Sequence, residues 1–509
     1  MAPILQLLHL FETLLIINTG LTMTILNIPE LVRQTRIDYS DSYDTMNWLT
    51  PETTDTASRL RESLITNIFD PRTPGAGWQF SGTKLFTQEI SPGCALCGQG
   101  DWSCLFINGI CNAQCFYCPS TQKEKGQPMT STLEFSNPRD YADYVQRFNI
   151  KGVSFSGGEP FLTFDRVVLF LKTLRSRISH PLYIWMYTNG LLVTEDKLKI
   201  LRDNGLDEIR FDISANHYDL KALKKALGII PKVTVEIPAI PEDLEITQQV
   251  IKELSELGVN HLNLHQIRCT KFNREKLVQR GYTFLHGPGV TVLETELTAL
   301  KLIQYSLDQK IALPINYCSF TFRNQFQRAG GGKRNAQQIK AIHEDITPTG
   351  HIRTMSVSGT QESIGSLQKS LISQELEPSF WKLSTAGDQL FFTEKLWPLM
   401  DFSNVRLKVS YSGTALKPSV SFRNPFKEVV LNKKKKVVIE RHTQEAGLWF
   451  EGDQITRFGQ TFIQPDMDLP LNGPGNLPLD QSQAQDQPQK QIDEAMPFET
   501  FRPGLGEYI

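Results

Sequence analysis

Between residues 104 and 267 the chain alternates short apolar runs with longer segments whose apolar residues recur every three or four positions. The first kind reads as buried strands and the second as amphipathic helices. Strands are expected over 104–108, 152–156, 182–187, 208–214, 232–240 and 261–267, and helices over 165–177, 195–204, 215–228 and 244–257. Strands alternating with helices predict a parallel sheet, and right-handed crossovers curl it toward a barrel. A further strand is expected at 312–319, after a helix at 294–307. The fold class is therefore α/β, a partial (β/α)6 TIM-like barrel.

The pattern changes on both sides of this region. Residues 27–92 combine one amphipathic stretch, 57–68, with Pro and Gly turns at 71–77, and read as a loop-rich N-terminal extension. Beyond about residue 340 the runs 405–411, 429–431, 437–440 and 448–450 suggest antiparallel strands and a β-rich C-terminal domain, with Lys433 to Lys436 in an exposed hairpin turn. From about Pro465 onward Pro, Gln, Asp and Asn dominate, as in a disordered or loosely docked tail. The expected division is 1–92, 93–335 (with a Cys-rich segment before the barrel), 336–464 and 465–509. The first 22 residues are apolar, but Arg33 is the first Lys or Arg, and His9 and Glu12 interrupt the run. That makes a poor signal peptide and too short a membrane span. Translation starting at Met23 is the plain alternative, and the segment is given no function.

A length of 509 residues with 40% hydrophobic composition accommodates more than one ordered region, and a formal net charge of −2 gives no global field toward nucleic acid or an anionic membrane. Cysteine usage changes the picture. Six of the eight cysteines lie between Cys94 and Cys118, and such crowding suggests metal rather than disulfides, in a reducing cytoplasm. Cys111, Cys115 and Cys118 share one loop directly after an apolar run. Thiolates select zinc, Cu(I) or iron–sulfur clusters, and three of them on a cubane leave one iron open to a small molecule. The plainer alternative is a structural zinc loop, which needs a fourth ligand nearby.

This CxxxCxxC spacing, with Tyr117 just before the last cysteine, resembles the cluster loop of the radical S-adenosylmethionine (radical SAM) enzymes. The resemblance implies a [4Fe–4S] cluster on Cys111, Cys115 and Cys118. S-adenosyl-L-methionine would chelate the open iron and be cleaved reductively to a 5′-deoxyadenosyl radical, with a low-potential electron donor such as flavodoxin or ferredoxin as partner. Gly157, Gly158, Glu159 and Pro160 match the family's GGEP motif, which binds the SAM amino group. Its glycines are expected to let the backbone approach the ligand. Asn189, Asp212 and Ser214 fall where the family contacts the SAM carboxylate and ribose, and Gln266 and Ile267 where adenine is usually met by backbone. The likeness covers about residues 103–270. No Asp-x-His-x-x-Gly cobalamin fingerprint appears, and the β-rich region holds no cysteine for a C-terminal cluster domain. The expected function is radical modification of an unidentified peptide, protein or metabolite; the alternative is a noncatalytic zinc or iron–sulfur protein acting as a binding or redox module.

Three further residues are catalytic candidates near the barrel mouth. His265 is set against a satisfied core histidine, and Cys269 and Cys318 against free buried thiols. Cys94, Cys97 and Cys104, with Cys318 as fourth ligand, form a candidate second metal site for zinc or iron. Arg323, Arg328, Lys333 and Arg334 around Gly330, Gly331 and Gly332 read either as a mobile basic loop for an anionic substrate or as a solvated connector.

Overall fold

Strands follow one another in the order β1 (Ala76–Gln79), β2 (Lys84–Thr87), β3 (Trp102–Asn108), β4 (Met129–Thr130), β5 (Leu133–Glu134), β6 (Gly152–Gly157), β7 (Tyr183–Thr188), β8 (Glu208–Phe211), β9 (Lys232–Pro238), β10 (His261–His265), the short hairpin β11 (Phe284–Leu285) and β12 (Thr291–Val292), and β13 (Ile315–Cys318). In this computed structural model residues 28–464 and 487–508 are described. The main sheet is ordered β1-β2-β13-β10-β9-β8-β7-β6-β3-β4-β5. Its pairs from β3 through β6, β7, β8, β9 and β10 to β13 are all parallel, so the strand expected at 312–319 is present as β13. Antiparallel β2 and β4 flank this parallel core on its two sides.

Alternation along each strand sorts the side chains. Leu105, Ile107, Val153, Phe155, Ile184, Met186, Ile209, Phe211, Val233 and Val235 join the buried apolar cluster beneath the helices. Their neighbours on the opposite face, Cys104, Ser154, Trp185, Arg210, Glu236, Asn263 and Cys318, line the lumen. The helices are punctuated by their own sequence. Glu195–Asp203 opens on Thr194, whose hydroxyl accepts from the Lys197 amide, buries Leu198 and Leu201, and is followed by Gly205 at φ 86°. Full burial of each leucine is worth about 1.5–3 kcal/mol.

The N-terminal extension is more ordered than loop-rich. Pro51–Ile68 is a helix buried through Ala57, Leu64 and Ile68, and β1 and β2 extend the main sheet. The basic glycine stretch is also not a loop. Arg323–Gln327 is a π-helical turn leading into the helix Arg328–Ile339. Propensity argues against three consecutive glycines in a helix, but packing overrides it. A Cβ on Gly330 would lie 2.1 Å from the Gly100 Cα, and one on Gly332 would lie 2.7 Å from the Gly350 carbonyl oxygen.

The second sheet is antiparallel. It comprises β14 (Asp345–Ile346), β15 (Ile352–Ser358), β16 (Trp381–Leu383), β17 (Gln389–Phe392), β18 (Arg406–Lys417), β19 (Phe426–Val430) and β20 (Lys436–Phe450), as the β-rich pattern led one to expect. The Lys433–Lys436 stretch lies at the β19–β20 connection, and Lys435 reaches the Glu134 carbonyl of the barrel. Of the expected loose tail, residues 465–486 lie outside the described residues, and 487–508 overturn the expectation. Gln487–Glu499 is a helix; Glu499 pairs with buried Arg353 and accepts from Tyr411, Phe501 stacks on Phe326, and Tyr508 donates to Glu296. Polar composition hid the apolar anchors Phe498, Leu505 and Tyr508. The apolar first 22 residues lie outside the described residues, and among the described ones no helix is long and apolar enough to cross a membrane.

Candidate cluster and cofactor site at the barrel mouth

Strand β3 ends at Asn108, and the chain turns at once into the loop bearing Cys111, Cys115 and Cys118. Asn108 fixes that turn: its side-chain amide donates to the Glu159 carbonyl at 3.0 Å and to the Thr163 hydroxyl at 2.7 Å. The strand-end glycines of β6 press against the same turn. Gly157 has φ 117°, a Cβ on it would stand 2.1 Å from the Asn108 carbonyl oxygen, and one on Gly158 would stand 1.8 Å from that of Ile110. The Gly158 and Glu159 amides donate to those two carbonyls. The close approach for which these glycines are needed is thus to the backbone of the cysteine loop.

Glu159 is buried, and three donors engage its carboxylate: the Phe161 amide at 3.0 Å, the Thr188 hydroxyl at 2.9 Å and the Asn189 amide at 2.8 Å. Burial pushes its pKa up against the pull of these hydrogen bonds. Glu159 therefore ties the ends of β6 and β7 together, and Pro160 opens the short 3-10 turn that follows. Asn189 carries the tie onward, donating to the Asn112 side chain at 2.8 Å and to Cys111 Sγ at 3.7 Å.

On the other side of the loop, the Tyr117 and Ser214 hydroxyls both donate to the Asp212 carboxylate and lie 2.6 Å apart. Burial pushes the Asp212 pKa up to about 6, with those two hydroxyls opposing. Asn273 donates to the Tyr117 carbonyl at 2.9 Å, and Thr270 to that of Pro119 at 3.2 Å, so the segment after β10 clasps the loop. Asn112, Thr270 and Asn273 escaped the sequence reading. Asn112 lay inside the motif and was open to notice, whereas Thr270 and Asn273 act across contacts remote in sequence.

The three thiols are half-buried. Burial raises Cys111, eased by the Ala113 amide 3.4 Å from its sulfur, and burial followed by the Asp212 charge pushes Cys115 up to about 12. As bare thiols Cys111 and Cys115 stay protonated, so a thiolate at either calls for a bound cation. Three sulfur donors on one loop fit a soft metal centre that keeps one position open. Among the described residues no three Cys, His, Asp or Glu side chains are already preset around one ion; the thiols would turn inward as metal loads.

The remaining expected contacts sort differently. Gln266 is buried, its amide donating to Thr291 and the Val292 carbonyl and its oxygen accepting from the Phe320 amide. The Ile267 amide donates to the Thr295 hydroxyl at 3.2 Å, so that N–H is not offered to an adenine. Cys269 is buried in an apolar cluster with Met46 and Tyr282, against which Tyr117 packs, and burial pushes its thiol up to about 12. His265 and Cys318 are Cα partners on β10 and β13 and face the lumen rather than the open mouth. Burial drives the His265 pKa down to about 3, so its imidazole stays neutral.

Residues 105–267 match the Radical SAM superfamily model. The chain is 29% identical over 302 residues to a putative glycyl-radical enzyme activating enzyme of Methanocaldococcus jannaschii, covering 57% of this chain and 79% of that one. It is 26% identical over 215 residues to a probable GTP 3′,8-cyclase of Methanosarcina mazei, covering 40% of this chain and 57% of that one. Among solved structures, Streptococcus suis SuiB bound to S-adenosylmethionine aligns with a TM-score of 0.32 at 13% identity, over 49% of this chain and 58% of that one.

Proposed function

Because the chain is a member of the radical SAM superfamily, an enzyme family working with a [4Fe–4S] cluster and SAM, we propose that Cys111, Cys115 and Cys118 hold that cluster and that the mouth above them modifies a peptide, protein or metabolite. When bound, the cluster and SAM supply a one-electron reductive cleavage that yields a 5′-deoxyadenosyl radical, with the electron drawn from a low-potential donor of the flavodoxin or ferredoxin kind. The carrying observation is the clasp on the cysteine loop: Gly158 and Glu159 on one side and Tyr117–Asp212–Ser214 on the other converge on it.

In this reading the chain's own residues bind and orient. Asn189 and Asn112 fix the loop beside Cys111. Asp212, with Ser214, offers acceptors to ribose hydroxyls. Glu159 acts as a positioning residue, because its oxygens are already engaged; it holds the β6 and β7 ends where an amino group would lie. The relatives' names divide between a protein and a nucleotide as the target, so the substrate class stays at C–H bonds of a peptide, protein or metabolite.

The test is anaerobic. Reconstituted, dithionite-reduced protein is expected to convert SAM to 5′-deoxyadenosine and methionine, measured by chromatography, and Cys115→Ala is expected to lose both this turnover and the cluster's visible absorbance. Cluster iron and sulfide undiminished in a Cys111, Cys115, Cys118 triple alanine variant would refute the ligand assignment.

A further inference from the structure

A second set of thiols lines the lumen below the mouth; like the first, it is not gathered around one point in the metal-free chain, and loading would have to draw it together. The helix Pro92–Gln99 places Cys94 and Cys97 one turn apart, on the face that meets the lumen. A Cβ on Gly93, just before Cys94, would strike the Arg210 guanidinium at 2.4 Å and Trp185 at 3.3 Å, so this helix is seated against the lumen wall. Cys94 Sγ stands 3.7 Å from Arg210 Nη1, Cys97 Sγ is 2.8 Å from Gln327 Nε2, and Cys318 Sγ is 3.5 Å from Arg323 Nε. Cys97 and Cys318 pack in one cluster with Phe322 and Phe326.

Lys84 indicates what this pocket is built for. Its side chain is wholly buried, its ammonium lies 4.5 Å over the Phe322 ring without a hydrogen-bond partner, and Cys318, Cys94, Cys97 and Glu236 are the groups whose negative charge would act on it. A buried ammonium that no carboxylate pairs with directly is costly, by several kcal/mol. The charged groups facing one another here are Lys84, Arg210 and Arg323 against Glu208 and Glu236, and 3 − 2 leaves a single positive charge. A divalent ion on three thiolates carries 2 − 3, a single negative charge, and closes the balance.

We propose that Cys94, Cys97 and Cys318 bind one zinc ion in the lumen, with His265 beside Cys318 as the fourth donor. This departs from the grouping that spacing suggests: Cys104 faces the hydroxyls of Ser154 and Ser156 instead. Three thiolates with one imidazole form a closed tetrahedral set, so the site pins rather than reacts. What it pins is the gap in the sheet. The Pro92–Gln99 helix leads into β3, Cys318 ends β13, and these are the first and last of the parallel strands. The ion fastens one end of the parallel core to the other, and Lys84 and Arg323 offset the charge of the thiolates.

The experiment uses the full chain carrying Cys111→Ala, Cys115→Ala and Cys118→Ala, so that its outcome is independent of the SAM cluster. After dialysis against a mild chelator, elemental analysis is expected to give one zinc per chain, and cobalt substitution to give thiolate-to-cobalt charge-transfer absorbance. Adding Cys94→Ala, Cys97→Ala or Cys318→Ala should remove both signals, and His265→Ala should weaken zinc retention. Folded, metal-free protein, or zinc that survives the three lumen changes, would overturn the site. Iron with sulfide in place of zinc would overturn the single-ion form. Should the triple variant not fold, the same count on reconstituted holoenzyme serves: one zinc beyond the cluster iron is expected, lost in Cys94→Ala with the cluster absorbance intact, and its absence overturns the proposal.

Discussion

The two cysteine sets differ in what surrounds them more than in what they are. At the mouth, the charges that act on Cys111 and Cys115 include the carboxylates of Glu159 and Asp212, and both thiols are held protonated. In the lumen the set is split: burial, followed by the neighbouring Cys318 and Cys94, pushes Cys97 up, whereas Lys84 and Arg323 overcome burial at Cys318 and hold that thiol below its ordinary value. The mouth set lies on a half-buried loop gripped from two sides by hydrogen bonds, those of Tyr117 and Ser214 ending on the Asp212 carboxylate, whereas the lumen set has Lys84, Arg210 and Arg323 beside it. Similar sulfur donors are thus suited to opposite tasks. Partly open surroundings suit a centre that must admit a cofactor, whereas closed surroundings with cations at hand suit a permanent anionic centre.

The largest effect that would break this contrast is loss of the mouth thiols. Replacing Cys111, Cys115 and Cys118 with Ala is expected to abolish SAM cleavage while leaving the circular dichroism and the lumen metal unchanged; loss of the lumen metal as well would mean that the two sets are one. Next comes Gly158→Ala, which drives a methyl group into the Ile110 carbonyl. It is expected to cost about 3 kcal/mol in denaturant unfolding and to impair cluster retention, because the cysteine loop must shift. Lys84→Met sharpens the comparison by its sign. In metal-free protein it should raise the melting temperature by removing an uncompensated charge, yet in the loaded protein it should weaken zinc affinity about tenfold. One sign in both states would mean that Lys84 does not serve the thiols. The smallest effect expected is from Asn189→Ala: loss of its tie to Asn112 costs about 1 kcal/mol and weakens SAM affinity roughly fivefold, seen by equilibrium binding, with the cluster assembled.

Sequence made the mouth readable because its ligands and GGEP turn are local, and because the barrel strands alternate sharply enough to count. What stayed hidden depended on distant partners. Glu159, Gln266 and the Ile267 amide have motif positions that suggest ligand contacts, yet Thr188, Thr291, Thr295 and Phe320, remote in the chain, already engage them. Gly330 and Gly332 read as a loop because propensity is a local quantity, while their reason for being glycine is the backbone of Gly100 and Gly350. Cys104 grouped with Cys94 and Cys97 by spacing, but its strand pairs it with β6, whose Ser154 and Ser156 hydroxyls meet its sulfur.

The segment from Glu499 to Tyr508 bears on modularity. It begins in the second sheet, with Glu499 bonded to Arg353 and Tyr411, and then crosses to the barrel. There the Leu505 carbonyl accepts from Thr321, and Tyr508 settles over Arg61 and bonds Glu296. Leu505 and Tyr508 belong to the barrel's own apolar cluster. A barrel cut out at residue 335 would carry two empty seats, and a grafted second sheet would bring their occupants to a host that has no place for them. Exchange of either part for that of another chain would therefore have to carry this strap along.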